Sequence, residues 1–242
     1  MKSWQEQQRA IITGASSGIG KATAVAFAKA GIAVALVGRS QAKLEQVVQI
    51  AKSVGTEAKG YILDLAEVEL VKAEMSAIAQ DFQPIDILVN NAGMGYTNLL
   101  KETSLSDWQQ VLNLNLTSVF QSTQAILPLM RDRKAGVIIN VASIAAHSSF
   151  PNWGAYSVSK AGLVAFSKIL AAEEKVHGIR VMTVSPGAVN TPIWDTDTVG
   201  ADFERSLMLT PEVVAQTILY AATLPPGAMI EEITLMPSAG AL

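Results

Sequence analysis

The stretch RAIITGASSGIGKATAVAFAKAG, residues 9–31, decides how this chain folds. It opens with a short apolar run, breaks at Gly14, Gly18 and Gly20, and continues as an alanine-rich helical pattern that stops at Gly31. Strand, glycine-rich turn and helix in that order aim the free N–H groups of the helix's first turn at the end of the strand, where they can hold a phosphate. The glycine spacing is G-x-x-x-G-x-G rather than G-x-G-x-x-G. It also admits a plainer reading, a turn whose glycines let the helix pack closely.

Working outward, the same alternation recurs. Further strands are expected at 33–37, 58–63, 85–89, 137–141, 180–184 and 232–236. Between them lie helical patterns at 41–53, 68–82, from an N-cap at Ser106 to about 130, through 156–160 to about 177, and from Pro211, capped by Thr210, to about 224. Strands alternating with helices mean βαβ units, right-handed crossovers and a parallel sheet covered on both faces. The expected fold is α/β, a Rossmann-type doubly wound parallel sheet of about seven strands in the order 3-2-1-4-5-6-7. Residues 1–242 read as a single domain, without repeats or linkers, and the long connection at about 188–209 reads as a substrate loop or lid.

Composition excludes several classes. Half the residues are hydrophobic and 16% are charged, as a compact interior requires, and the net charge of -3 comes with scattered Lys and Arg. Neither nucleic acid nor an acidic membrane is an expected partner. Cysteine is absent, which removes disulfides and thiolate chemistry, and the two histidines, His147 and His177, share no ligand spacing. No metal is expected. The polar start MKSWQEQQR and the lack of a run near the ~18 apolar residues of a membrane span make the cytoplasm the expected compartment.

Residues with chemistry cluster at the strand ends, where open α/β sheets bind ligands. Arg39 follows the second strand, and no Asp or Glu occurs between Gly20 and Glu45. An acidic residue here would take a ribose 2′-OH, whereas an arginine accommodates a 2′-phosphate; the plainer alternative is a solvated residue opening the next helix. Asp64, then Asn90-Asn91-Ala92-Gly93, then Ser143 and Pro186-Gly187 stand at later strand ends. Asn113 and Asn115 lie inside a helical pattern that disfavours them, which gives weight to a buried polar role. Tyr156 and Lys160 are spaced i, i+4, on one helix face, where an ammonium would favour the phenolate. Ser143, Tyr156 and Lys160 could meet over one substrate.

Together, TGASSGIG at 13–20, NNAG at 90–93, Asn115 within NLNLTSVF, Ser143, Tyr156-x-x-x-Lys160 and PGAVNTP at 186–192 resemble the classical short-chain dehydrogenase/reductase family, in its order and over essentially the whole chain. With Arg39 arguing for NADP(H) over NAD(H), the resemblance implies an oxidoreductase interconverting a carbonyl and a secondary or primary alcohol, with Tyr156 as acid/base. Ser143 would hydrogen-bond the carbonyl oxygen, Lys160 would hold the nicotinamide ribose and lower the pKa of Tyr156, and Asn115 would support a water-linked proton relay. Gly14, Ser16 and Ile19 would lie around the phosphates, with Ser17, Gly18 and Gly20 in the same turn. Asp64 would contact adenine, Asn90 the adjoining ribose, and Val189 and Thr191 the carboxamide. Leu65, Ala92, Gly93, Pro186 and Gly187 would complete the cofactor wall. The resemblance also implies a homo-oligomer, a tetramer or a dimer, built through the long fourth and fifth helices.

The substrate is less constrained. RVMTVSPG at 180–187 and EITLMPSAG at 232–240 look closer to the branch of the family with 3-hydroxy acid and serine-type dehydrogenases than to its 3-oxoacyl-carrier-protein reductases. A small or medium hydroxy/oxo compound is therefore expected, with Met94, Tyr96, His147, Phe150, Trp153 and Trp194 available as an apolar wall. One alternative is a 3-oxoacyl thioester on an acyl carrier protein, which the basic cluster Arg131, Arg133 and Lys134 could meet. Another, of a different class, is an NADP-binding regulator without turnover.

Overall fold

The computed structural model describes residues 7–201 and 203–240. The polar start read above therefore lies mostly outside the described residues. The first strand, β1 (Arg9–Thr13), leads into α1 (Gly18–Lys29), and β2 (Ala33–Gly38) into α2 (Gln41–Ser53). Next come β3 (Ala58–Ile62), α3 (Val68–Asp81) and β4 (Ile87–Asn90). Two consecutive helices, α4 (Leu105–Leu112) and α5 (Ser118–Arg133), precede β5 (Gly136–Val141) and α6 (Gly154–Glu174). The chain closes with β6 (Ile179–Pro186), α7 (Pro211–Ala222) and β7 (Glu232–Leu235). All neighbouring strands pair in parallel, in a seven-stranded sheet ordered β3-β2-β1-β4-β5-β6-β7. The expected architecture and order hold.

Continuous apolar runs become two cores because successive strand residues face opposite ways. Ile12, Val89 and Ile139 face one side, where Phe27 of α1, Val47 of α2 and Ile218 of α7 pack. Their neighbours Ile11, Leu88 and Ile138 face the other, against Met75 of α3, Ile126 of α5 and Leu170 of α6. Every residue of β2 is buried.

The helix expected from Ser106 to about 130 is not continuous. Ser104, not Ser106, caps α4, its hydroxyl accepting from Asp107 N at 3.0 Å, and five residues of π-helix, Asn113–Thr117, separate α4 from α5. Such a widened turn breaks the regular ladder and often marks a functional site. Among the described residues no helix is long and apolar enough to cross a membrane.

Candidate functional site

A cleft of about 500 Å³ runs along the carboxyl ends of the strands, from Arg39 after β2 to Pro186 at the end of β6. Its floor is set by the glycine turn. Gly14 has φ +66, and a Cβ there would stand 2.8 Å from the Ala92 Cα. A Cβ at Gly20 would run into the Gly14 carbonyl oxygen, so Gly20 serves the approach of α1 to β1 and does not line the cleft. Thr13 and Asn91 lock this turn to the end of β4. The Thr13 hydroxyl accepts from Asn91 N at 3.0 Å and Ala92 N at 3.1 Å, and Asn91 Nδ2 donates to Thr13 O at 3.0 Å. Ser17 caps α1 without a side-chain hydrogen bond, and no acidic residue occupies the first turn of the helix. Those N–H groups and the positive end of the helix dipole suit a phosphate.

Gly14, Ser16, Ser17, Gly18 and Ile19 line one side of the cleft, with Arg39, Asp64 and Leu65 beyond them. Arg39 is 72% exposed and makes only a loose 3.8 Å contact with Asp64, so its guanidinium is available. Lys43, one turn into α2, lines the same end. Ala92, Gly93, Pro186, Gly187, Val189 and Thr191 form the remaining wall. A crowded glycine cradle with cations at its far end fits a dinucleotide bearing an extra phosphate.

Ser143, Tyr156 and Lys160 line the same cleft. The first turn of α6 carries Tyr156, and Lys160 stands one turn later, 4% exposed, with Nζ donating to Val141 O at 2.9 Å and lying 5.9 Å from the Tyr156 ring centroid. The expected lowering of the phenol pKa by this ammonium does not occur here. Burial holds Tyr156 above the ordinary phenol value, with the Ser143 hydrogen bond pulling the other way, and burial brings Lys160 down to about 8. Desolvation dominates both groups, since burial disfavours the charged form of each.

Two expected residues sit behind the cleft rather than in it. Asn115, fully buried in the π-helical turn, accepts from Met94 N at 2.8 Å and donates to Met94 O at 2.9 Å and Ser159 Oγ at 3.1 Å. With both amide hydrogens committed, its side chain holds the 93–95 wall in place. A Cβ on Gly93 would stand 3.1 Å from Asn115 Oδ1 and 3.5 Å from Lys160 Nζ, so this glycine keeps the two groups close. Asn90 turns into the sheet, where Nδ2 donates to Asn140 Oδ1 at 2.8 Å, and Asn91 reaches the cleft in its stead. Asn90 itself does not line the cleft, because its amide nitrogen donates inside the sheet.

Of the expected apolar wall, Met94, Phe150, Trp153 and Trp194 line the cleft. Tyr96 and His147 do not. Tyr96 donates to Asp107 at 3.1 Å, and His147 Nε2 lies 3.2 Å from Ser185 Oγ and 2.9 Å from Glu232. Phe203 completes the wall and was not foreseen, since an isolated Phe in a long loop carries no periodicity. The loop 188–209 closes on itself through the paired residues Val189 and Leu209, and Arg205 reaches back to Asn190 Oδ1 at 3.1 Å and Thr191 O at 3.0 Å. Two members of the basic cluster at the end of α5 are engaged within the molecule. Arg131 pairs with the fully buried Glu174, its Nε donating at 2.8 Å, and Arg133 pairs with Asp86 and donates to Ile85 O at 3.0 Å. Among the described residues no group of three His, Cys, Asp or Glu side chains could hold a metal.

This fold and cleft define a Rossmann-type nucleotide-binding protein. A family described as short chain dehydrogenase matches residues 8–200. A 3-oxoacyl-[acyl-carrier-protein] reductase of Synechocystis sp. is 38% identical over 229 residues, covering 92% of this chain and 92% of that protein. An alcohol dehydrogenase from the archaeon Thermococcus sibiricus, complexed with 5-hydroxy-NADP, has a TM-score of 0.89 at 28% identity over 98% of this chain and 99% of its own. A variant of the actinorhodin polyketide ketoreductase with NADPH has a TM-score of 0.85 at 30% identity, over 97% of both chains. The chain belongs to the short-chain dehydrogenase/reductase family of oxidoreductases.

Proposed function

We propose that this chain is an NADP(H)-dependent carbonyl reductase, reversible as an alcohol dehydrogenase, acting on a small or medium oxo compound. One observation carries the reading: Ser143, Tyr156 and Lys160 share a single cleft with the glycine turn and Arg39. Proton donor and dinucleotide cradle are therefore held on one continuous surface. Arg39 and Lys43 are the residues that would take a 2′-phosphate, and NADP forms accompany the solved relatives named above.

When bound, NADPH supplies the hydride. Ser143 donates a hydrogen bond to the carbonyl oxygen, and Tyr156 delivers the proton to it as the alcohol forms. A phenol held above its ordinary pKa stays protonated at neutral pH, which suits an acid in reduction. Lys160 orients the ribose beneath Tyr156, and Asn115 is a positioning residue that fixes Met94 and the adjoining wall. The apolar residues Phe120 on α5 and Val158 and Ile169 on α6 are exposed, in keeping with a homo-oligomer joined through these helices.

A second reading keeps the chemistry and makes the substrate a 3-oxoacyl thioester on a carrier protein, favoured by the relative from Synechocystis sp.. The intramolecular pairing of Arg131 and Arg133 weakens its charge argument, leaving Lys134 of that cluster. Initial rates of NADPH and NADH oxidation over acetoacetyl thioesters, 3-oxo acids, aldehydes, ketones and diketones, with Tyr156→Phe as control, separate the readings. A Tyr156-dependent rate with NADPH is expected. NADPH binding with no turnover of any compound would leave a regulator instead.

A further inference from the structure

Four charged side chains line the cleft, and they are not evenly spread. Arg39, Lys43 and Asp64 stand at the β2–β3 end, and Lys160 is buried against Val141 O. Among the described residues, the wall around the Tyr156 ring has no further charge; Met94, Ile144 and Ile193 make up its aliphatic part. The cation on the adjoining loop, Arg205, is committed to Asp195, Asn190 and Thr191 and does not line the cleft. A carboxylate placed beside Tyr156 would lose its water and find no guanidinium to replace it.

What this wall does offer is aromatic. Tyr156 and Trp153 meet edge to face with centroids 5.3 Å apart, Trp153 and Trp194 at 5.8 Å, and Trp194 and Phe203 at 5.2 Å. The polar edge of Trp194 is already satisfied, its Nε1 donating to Val189 O at 2.7 Å. A flat π-system entering among rings of this kind can stack on them offset or meet them edge to face. The series begins at the proposed proton donor and leads away from it into the 188–209 loop, which supplies Trp194 and Phe203.

We propose, resting on the reductase reading above, that the substrate is an uncharged aryl ketone or aryl aldehyde whose ring lies against Trp153, Trp194 and Phe203. This sets the chain apart from 3-hydroxy acids and amino acids, whose carboxylates need a cation that this wall lacks.

The test compares three ketones with NADPH: a phenyl methyl ketone, its ring-carboxylated analogue and an aliphatic methyl ketone of similar size. The neutral aryl ketone is expected to have a kcat/KM about tenfold or more above the aliphatic one and about a hundredfold above the carboxylated one, the scale set by an unpaired buried charge. Phe203→Leu and Trp194→Phe should each shrink the aryl preference roughly fivefold while leaving the KM for NADPH unchanged. Equal use of the carboxylated ketone, or a preference that neither substitution moves, overturns the proposal. Calorimetric binding of the same ketones to the protein saturated with NADP+ provides a readout independent of turnover. If no carbonyl is reduced, the reductase reading fails, yet tight binding of the neutral aryl ketone alone would still support the pocket, and equal or absent binding would refute it.

Discussion

The two ends of the cleft are built differently. At the β1–β2 end, function rests on backbone: a left-handed Gly14, a Gly20 that admits no methyl group, and a Thr13–Asn91 lock that fixes both. At the β5–β6 end it rests on side chains brought from three separate segments, Met94, Trp153 and the 188–209 loop. Backbone constraints narrow the choice of residue to one, whereas an apolar wall accepts many residues of similar volume. The first end defines what cofactor chemistry is possible, and the second is free to vary with the substrate.

Substitutions that affect one end alone sharpen that contrast. Tyr156→Phe should lower kcat by about 10²–10⁴, the usual worth of a positioned acid, with the Kd for NADPH unchanged by fluorescence titration. A parallel loss of NADPH affinity would mean that the ends are not separable. Lys160→Met tests the group that joins them. With its pKa brought down from 10.5 to about 8, protonated Lys160 opposes folding by about 3 kcal/mol below pH 8. The unfolded chain binds the extra proton between about pH 8 and 10.5, so wild-type stability rises with pH through this window. Lys160→Met should therefore unfold at a higher temperature than wild type at pH 7 while losing activity, and the gap should close by pH 10.5. A variant less stable at pH 7 would show that the ammonium is well solvated.

Arg39→Ser addresses the other end. It should lower kcat/KM with NADPH roughly tenfold or more, the scale of a lost charge-assisted hydrogen bond, and leave the rate with NADH and the order of substrates unchanged. The smallest effect is expected from His147→Ala. His147 faces Ser185 and Glu232 rather than the cleft, so substrate preference should stay as it is and stability should fall by about 1 kcal/mol or less in thermal unfolding. A shifted preference would place His147 in the wall after all.

The same contrast explains what could be read from the sequence. Sheet order, and the meeting of the glycine turn, Arg39, Ser143, Tyr156 and Lys160 along one cleft, are legible because each is fixed by local spacing or by its place at a strand end. Asn115 stands out as an anomalous helical asparagine, but the π-helical turn that aims it at Met94 has no local code. Asn90 and Asn91 look alike in sequence, and only the strand's alternation, exact to one residue, sends the first inward and the second to the cleft. Phe203 and the pairing of Arg131 with Glu174 depend on contacts between distant segments, which no window of sequence contains.

The lock between Thr13 and Asn91 also has a bearing on how the molecule assembles. It joins residues 78 apart in the chain, with α1, β2, α2, β3, α3 and β4 between them. Closing so long a loop comes at an entropic cost that local contacts do not bear, and a growing chain meets it only after β4 has emerged. The first motif to be synthesised thus waits for three further strands before it is completed. A nucleotide can lend its binding energy to folding only once nearly the first hundred residues have come together.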